Sequence, residues 1–192
     1  MTKKPIKIGF DLDGVILYNP IRIVRPILSF FRKTVIKKEK KIFYIPETRI
    51  EKMFWFLLHK TSFTPAKGYK KLQFLVSKKR IQAYLITGRY SALESDFISW
   101  TKKLNAKSTF VKFVYNIKNK QPHEFKKLMI AKYNLDVFVD DNWDIVNLLS
   151  KNKKQGLKIL WITNLLDQFI SYKYKFYNLD QVLDFIEKKY NL

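Results

Sequence analysis

The sequence predicts an α/β fold: a three-layer, Rossmann-like parallel sheet with an inserted, mainly helical cap after the first strand. Three observations point to it. Short apolar segments rich in β-branched or aromatic residues recur along the chain, as buried parallel strands do. Helical patterns lie between them, and strand–helix alternation implies parallel strands with helices on both faces. Residues 20–64 break that rhythm, and a loop of such length is unusual in a compact domain unless it is functional.

The elements follow in chain order. Residues 7–10 form the first strand, which runs into Asp11-Leu12-Asp13-Gly14-Val15. The insert holds two basic helical stretches, 21–31 and 47–60, and a short apolar piece, 41–45. A helix over 66–79 places Tyr69, Leu72, Phe74, Leu75 and Val76 at apolar positions. The strand over 81–86 leads into a helix over 91–104, opened by the capping-box pattern Ser91-x-x-Glu94. A strand over 110–115 precedes a helix over 122–133, with Pro122 suited to its first turn. The strand 137–139, the helix 143–150, the strand 157–162 and the helix 180–190 complete the series. The division is a core of 1–19 and 65–192 and a cap of 20–64. There are no internal repeats. The stretch Tyr172-Lys173-Tyr174-Lys175-Phe176-Tyr177 interleaves aromatics with lysines, a pattern that suits base stacking and phosphate contacts, or else a strand with one packed face.

The chain has 192 residues, 47% of them hydrophobic and 16% aromatic, which supports one well-packed domain with an inserted subdomain and argues against disorder. It has no cysteine, so disulfides and thiolate metal sites are excluded. His59 and His123 are isolated and read as surface or packing residues. No apolar run reaches the ~18–20 residues of a membrane span, and aspartates interrupt the only leader-like segment, so a cytoplasmic protein is expected. With 38 basic and 16 acidic residues the net charge is +22, which favours phosphorylated substrates, polyanions or anionic membranes. The insert holds 11 Lys/Arg against three Glu, about twice the charge density of the rest. A chain rich in Lys, Asn, Ile, Phe and Tyr also suggests AT-rich coding, which would add charge without function.

Several strand ends carry residues suited to phosphate chemistry. Side chains alternate along a strand, so Asp11 and Asp13 point the same way if the strand persists. Two carboxylates that close repel unless a cation or shared proton relieves them, and Mg²⁺ suits oxygen ligands. An acidic turn after a strand is the plainer alternative. Thr87-Gly88-Arg89 follows the strand 81–86, where a hydroxyl and a close backbone approach can hold a phosphate oxygen. Asp140-Asp141 follow the strand 137–139, and adjacent acids at a buried strand end are costly without a cation. Lys126 and Lys127, in the helix 122–133, could offset that charge.

In this order the features resemble the haloacid dehalogenase superfamily of phosphatases. Its motifs match Asp11-Leu12-Asp13-Gly14-Val15, Thr87-Gly88-Arg89, a lysine, and Asp140-Asp141, and the insert falls where its smaller helical cap is placed. The resemblance implies that Asp11 is the nucleophile, forming an aspartyl-phosphate, and that Asp13 is the general acid and then the base. It implies Mg²⁺ held by Asp11, the backbone carbonyl of Asp13, Asp140 and Asp141, with Asp141 the more direct ligand. Thr87, Gly88 and Lys126 would hold the phosphoryl group. Lys126 fits the family spacing best, with Lys120, Lys127 and Lys132 as alternatives. Arg89 would touch substrate or lie in solvent. Within the superfamily the chain looks most similar to the 5′-nucleotidase and deoxyribonucleotidase-like members.

The expected function is a Mg²⁺-dependent phosphomonoester hydrolase acting on a small phosphorylated substrate such as a nucleotide. The high basic charge motivates two alternatives. One is a phosphatase of polynucleotide ends. The other is a non-catalytic nucleic-acid-binding protein on the same fold, whose signature would be a lost nucleophile or metal ligand; none is lost.

Overall fold

The structure is a computed structural model that describes residues 4–20, 43, 45–46, 48–62, 64–151 and 153–192. Eight strands are present among them: β1 (Ile6–Phe10), β2 (Leu17–Tyr18), β3 (Thr64–Pro65), β4 (Ile81–Tyr90), β5 (Phe110–Asn116), β6 (Val137–Asp140), β7 (Lys158–Ile162) and β8 (Lys175–Phe176). The helices are α1 (Arg49–Lys60), α2 (Tyr69–Ser77), α3 (Glu94–Lys103), α4 (Ala106–Thr109), α5 (Pro122–Tyr133), α6 (Trp143–Lys151) and α7 (Leu179–Tyr190).

Six strands form one parallel sheet in the order β5–β4–β1–β6–β7–β8. The chain fills one side of β1 with β4 and β5, then returns to the other side with β6, β7 and β8. The reversal falls at β1, and in such sheets ligands gather beyond the carboxyl ends of the strands at that point. Strand alternation sends the two faces to two cores. Ile8, Phe10, Ala83, Leu85, Val137 and Val139 pack with α2, α3 and α7. Tyr84, Ile86, Phe138, Ile159 and Trp161 pack with α5 and α6. Gly9 lies under the second core. A Cβ there would stand 2.6 Å from both Leu135 and Phe138, so the strand's one glycine lets that layer close.

The predicted α/β architecture with helices on both faces is what forms. The strand expected over 81–86 runs on to Tyr90, carrying Thr87, Gly88 and Arg89 within it. The aromatic and lysine stretch contributes the edge strand β8, with Tyr172, Tyr174 and Phe176 packed inward, and Lys175 Nζ donating to the carbonyls of Gln168 and Ile170. The capping box expected at Ser91 does not form. Ser91 opens a 3-10 turn, and its backbone N–H and hydroxyl are taken by Asn119 Oδ1, while Glu94 accepts from the Tyr115 hydroxyl. A capping box forms instead at α1: Thr48 N donates to Glu51 Oε2 at 2.9 Å and Glu51 N to Thr48 Oγ1 at 3.2 Å.

The insert leaves and re-enters through a two-stranded antiparallel ribbon. Leu17 pairs with Pro65 and Tyr18 with Thr64, and Ala66 N donates to Ile16 O. The ribbon starts four residues after Asp13, so whatever the insert carries is anchored beside the first strand's end. Of the two helical stretches expected in the insert, 47–60 forms α1. The stretch 21–31 and most of 41–45 lie outside the described residues.

Candidate active site

Asp11 is the first residue past β1, and its N–H still donates to Val139 O at 3.0 Å, so its backbone is fixed by the sheet. Asp140 ends β6 and Asp141 follows it. Carboxylate oxygens of Asp11, Asp140 and Asp141 lie within 4.8 Å of one another, and all three residues are buried. α5 lies against the end of β4, and it brings Lys126 to this cluster. Lys126 Nζ lies 2.7 Å from Asp140 Oδ2 and 3.1 Å from Asp11 Oδ2. Of the lysines open to the motif in the sequence, Lys126 is the one that meets the strand ends, and it is almost wholly buried. Gly88 makes this approach possible. A Cβ at Gly88 would press on Pro122 at 3.1 Å and meet the Lys126 chain at 3.8 Å.

Three buried carboxylates meet here, and one ammonium contacts two of them, Asp11 and Asp140. Burial is the main force on Asp11. Asp140, Asp141 and Asp13 add to it and Lys126 opposes it, leaving the Asp11 carboxyl pushed up to about 7. Asp140 is raised as well, by burial first and then Asp141, against Lys126. Lys126 moves the other way: burial disfavours its charge, but Asp11 and Asp140 outweigh that and hold it protonated. Asp140 is also anchored by Asn142 N, which donates to its Oδ1 at 3.0 Å.

Asp13 does not join this cluster. The chain leaves the extended conformation after Asp11, and a tight turn follows in which Leu12 O accepts from Ile16 N and Leu17 N, and Gly14 N donates to Leu17 O. Gly14 takes φ +78°, and a Cβ there would lie 2.3 Å from Asp141 Oδ2. The turn therefore needs glycine twice, for its backbone and for the room Asp141 occupies. Its effect is to separate two aspartates that an unbroken strand would have aimed together.

Asp13 instead sits in a cradle of its own. Arg89 donates to it through two nitrogens, Nε to Oδ2 at 2.8 Å and Nη2 to Oδ1 at 2.7 Å. Ser62 Oγ donates to Oδ1 at 2.7 Å, and His59 Nδ1 lies 3.3 Å from Oδ2. Burial alone would raise the Asp13 carboxyl, but Arg89 and then His59 outweigh it and hold it well below the usual carboxylate range. The remaining Arg89 nitrogen, Nη1, pairs with Asp96 in the first turn of α3. Arg89 is buried, neither in solvent nor aimed at open space.

His59 and Ser62 are site residues that sequence reasoning missed, and both come from the insert. His59 lies in the last turn of α1, and Ser62 follows the helix with its N–H on the His59 carbonyl. His123 is a packing residue, its ring 5.7 Å from that of Phe43. Thr87 is buried beside the site in β4. The register pairs Phe10 with Leu85, which sets Thr87 level with the residues just past Asp11. Its Oγ1 accepts from Arg89 N at 3.3 Å. Among the described residues no helix is long and apolar enough to cross a membrane.

No family model matches the sequence, and no curated protein matches it either. Solved structures do match its fold over nearly the whole chain. A haloacid dehalogenase (HAD) hydrolase, family IA, variant 3, from Entamoeba histolytica superposes with a TM-score of 0.59 at 13% identity, covering 92% of this chain and 94% of that one. A HAD-superfamily hydrolase from Ehrlichia chaffeensis gives 0.53 at 14% identity, covering 98% of each. CbbY from Rhodobacter sphaeroides, solved in complex with phosphate, gives 0.57 at 10% identity, covering 92% and 95%. At these identities the likeness establishes the fold: a HAD-type α/β fold.

Proposed function

We propose that the protein is a phosphomonoester hydrolase working through an aspartyl-phosphate on Asp11, with the core of 1–19 and 65–192 carrying the chemistry and the insert of 20–64 capping it. The observation that carries this reading is the meeting of Asp11, Asp140, Asp141 and Lys126 at adjacent strand ends, buried and short of positive charge. The fold of HAD hydrolases, and the phosphate complex of CbbY, support the substrate class.

The residues fit a divalent cation. Their oxygens are hard donors at the spacing such a cation bridges, and Asp11 Oδ1 is buried with no hydrogen-bond partner. Asp11, Asp140 and Asp141 would hold Mg²⁺, with the Asp13 backbone carbonyl added by the resemblance. When bound it would offset the negative charge on phosphate and carboxylates.

The side chains divide the remaining work. Asp11 attacks phosphorus, and the bond to the ester oxygen breaks. The departing oxygen takes a proton from Asp13, which returns as base to accept one from the water that cleaves the Asp11–phosphate bond and releases inorganic phosphate. Lys126 and the Thr87 hydroxyl would hold phosphoryl oxygens. Arg89 positions Asp13 and favours its carboxylate form, which suits the second step. Acting as an acid in the first step requires Asp13 to take up a proton within the Arg89 fork.

The direct test is phosphate release from an aryl phosphate and a panel of nucleotides and sugar phosphates, with Mg²⁺ or EDTA. Metal-dependent turnover that vanishes in Asp11→Asn supports the reading, and the panel decides whether a nucleotide or another phosphorylated metabolite is the substrate. Metal-independent turnover, or turnover that survives Asp11→Asn, refutes it. The polynucleotide-end alternative predicts a KM that rises steeply with salt.

A further inference from the structure

We propose that the substrate carries a second anionic group, bound by Lys52, which lies about 10 Å along α1 from the residue that reaches Asp13. The inference rests on the phosphatase reading above and specifies its substrate class.

α1 acts as the ruler. His59 and Lys52 are seven residues apart, two helical turns, so they lie on one face about 10 Å apart along the axis. His59 reaches Asp13, so this face of α1 begins at the reacting centre. At its other end Lys52 lines a cavity of about 510 Å³ between insert and core. Ile45 and Pro46 form the insert wall, and Tyr90, Ser91, Ala92 and Asn119 form the core wall. Tyr90 directly follows Arg89, the residue that grips Asp13, so the core wall also continues from the site.

The lining has the character of a binding site for an anion on a mainly apolar body. Ser91 and Asn119 hydrogen-bond each other, Ser91 N to Asn119 Oδ1 at 3.0 Å and Asn119 Nδ2 to Ser91 Oγ at 3.0 Å, which stiffens that wall. Lys52 is different: among the described residues its ammonium has no acidic partner, and it offers three donors at the cavity's edge. Trp55 and Phe56, three and four residues on, occupy the intervening positions of the same helix face, so the span between the two charged ends is aromatic. A phosphate at Asp11 and Lys126, an apolar or ring-containing body along Trp55 and Phe56, and a terminal phosphate or carboxylate at Lys52 match this arrangement.

The test compares α,ω-alkanediol bisphosphates, and ω-phosphoalkanoates, with alkyl monophosphates of the same length, in wild type, Lys52→Ala and Lys52→Arg. The wild type should show an optimum length at which the second charge raises kcat/KM by about tenfold to a hundredfold, the worth of a charge-assisted hydrogen bond. That ratio should fall towards one in Lys52→Ala and be largely restored in Lys52→Arg. Hydrolysis of monophosphates with no gain from a second charge at any length, or a gain that survives Lys52→Ala, overturns the inference and leaves the phosphatase intact. If no ester is hydrolysed, the phosphatase reading is what fails. Calorimetric titration of the bisphosphates then decides this inference: binding lost in Lys52→Ala upholds the subsite, and no binding overturns it.

Discussion

Replacing Asp11 with asparagine should abolish turnover and, in the same molecule, stabilise the cation-free protein at neutral and alkaline pH. The magnitude comes from the carboxylate cluster. An ordinary aspartate ionises near pH 4, whereas burial and the neighbouring acids push Asp11 up to about 7. The sign follows. Below about pH 4 the group is protonated whether the chain is folded or not, so it has no effect on stability. As pH rises towards 7 the unfolded chain releases the proton and the folded one resists, so folding loses stability; above 7 the loss is complete. A shift of about three units corresponds to roughly 4 kcal/mol. That is a ceiling for the gain from asparagine, because the variant also gives up the Lys126 contact at 3.1 Å. For a chain of this size the ceiling corresponds to a rise in Tm of roughly 10 °C. Thermal unfolding in EDTA should show Asp11→Asn more stable than wild type at pH 8, with the gap narrowing as the pH falls below about 7 and closing towards about pH 4. Adding Mg²⁺ should raise the wild-type Tm by binding the folded state, and raise the variant's less. A variant no more stable than wild type at pH 8, or a gap unchanged by pH, would refute the charge reasoning.

Three other outcomes follow from the same geometry. Arg89→Met leaves the buried Asp13 and Asp96 without their shared counter-ion and should cost about 3–5 kcal/mol in urea unfolding; a cost under about 1 kcal/mol would mean that Arg89 is not their essential partner. Gly14→Ala places a Cβ on Asp141 Oδ2 in a left-handed backbone conformation. It should destabilise the fold by at least about 1–2 kcal/mol and weaken Mg²⁺ binding measured by calorimetry, and wild-type affinity in this variant would count against the site. Asp13→Asn should lower kcat by about 10²–10⁴ on alkyl phosphates, whose leaving oxygen needs a proton. On an aryl phosphate it should leave a rapid burst of phenol release before slow turnover, and a burst-free, uniformly slow reaction would remove Asp13 from the second step.

What the sequence made legible was local, and what it hid was long-range. The strand before Asp11 and the strand before Asp140 are each a short apolar run ending in acids, and that contrast is visible without a fold. Lys126 is less visible: in a chain with so many basic residues one lysine resembles another, so spacing favours it over Lys120, Lys127 and Lys132 without excluding them, and the packing of α5 against β4 is what brings it to the acids. His59 looked isolated because its partner Asp13 lies 46 residues earlier, across the insert, and the Leu17–Pro65 ribbon brings them together. Ser91-x-x-Glu94 and Thr48-x-x-Glu51 fit the same capping pattern, yet only the second forms, because Asn119 and Tyr115 claim the first pair's groups. Arg89 could not be placed from its neighbours in sequence, since whether it meets solvent or Asp13 depends on how far β4 extends.

The turn at residues 12–14 is where the fold departs most from strand periodicity, and the proposed chemistry depends on it. A nucleophile and an acid–base group in one cluster would share one counter-ion and hold each other's protonation in check. Here Asp11 faces Lys126 and two further carboxylates, a setting that leaves it short of positive charge. Asp13 faces Arg89, a setting that supplies charge through a rigid two-point fork. Two identical side chains, one residue apart, are thereby pushed in opposite directions, one up to about 7 and the other well below the ordinary range. The group that most needs a cation is the one at the strand ends where a cation fits. Asp13, the proposed acid–base group, is tied to the insert through Ser62 and His59. On the proposed reading, the cost of burying three acids around one lysine is not a defect of packing but what a cation and a phosphate would together relieve.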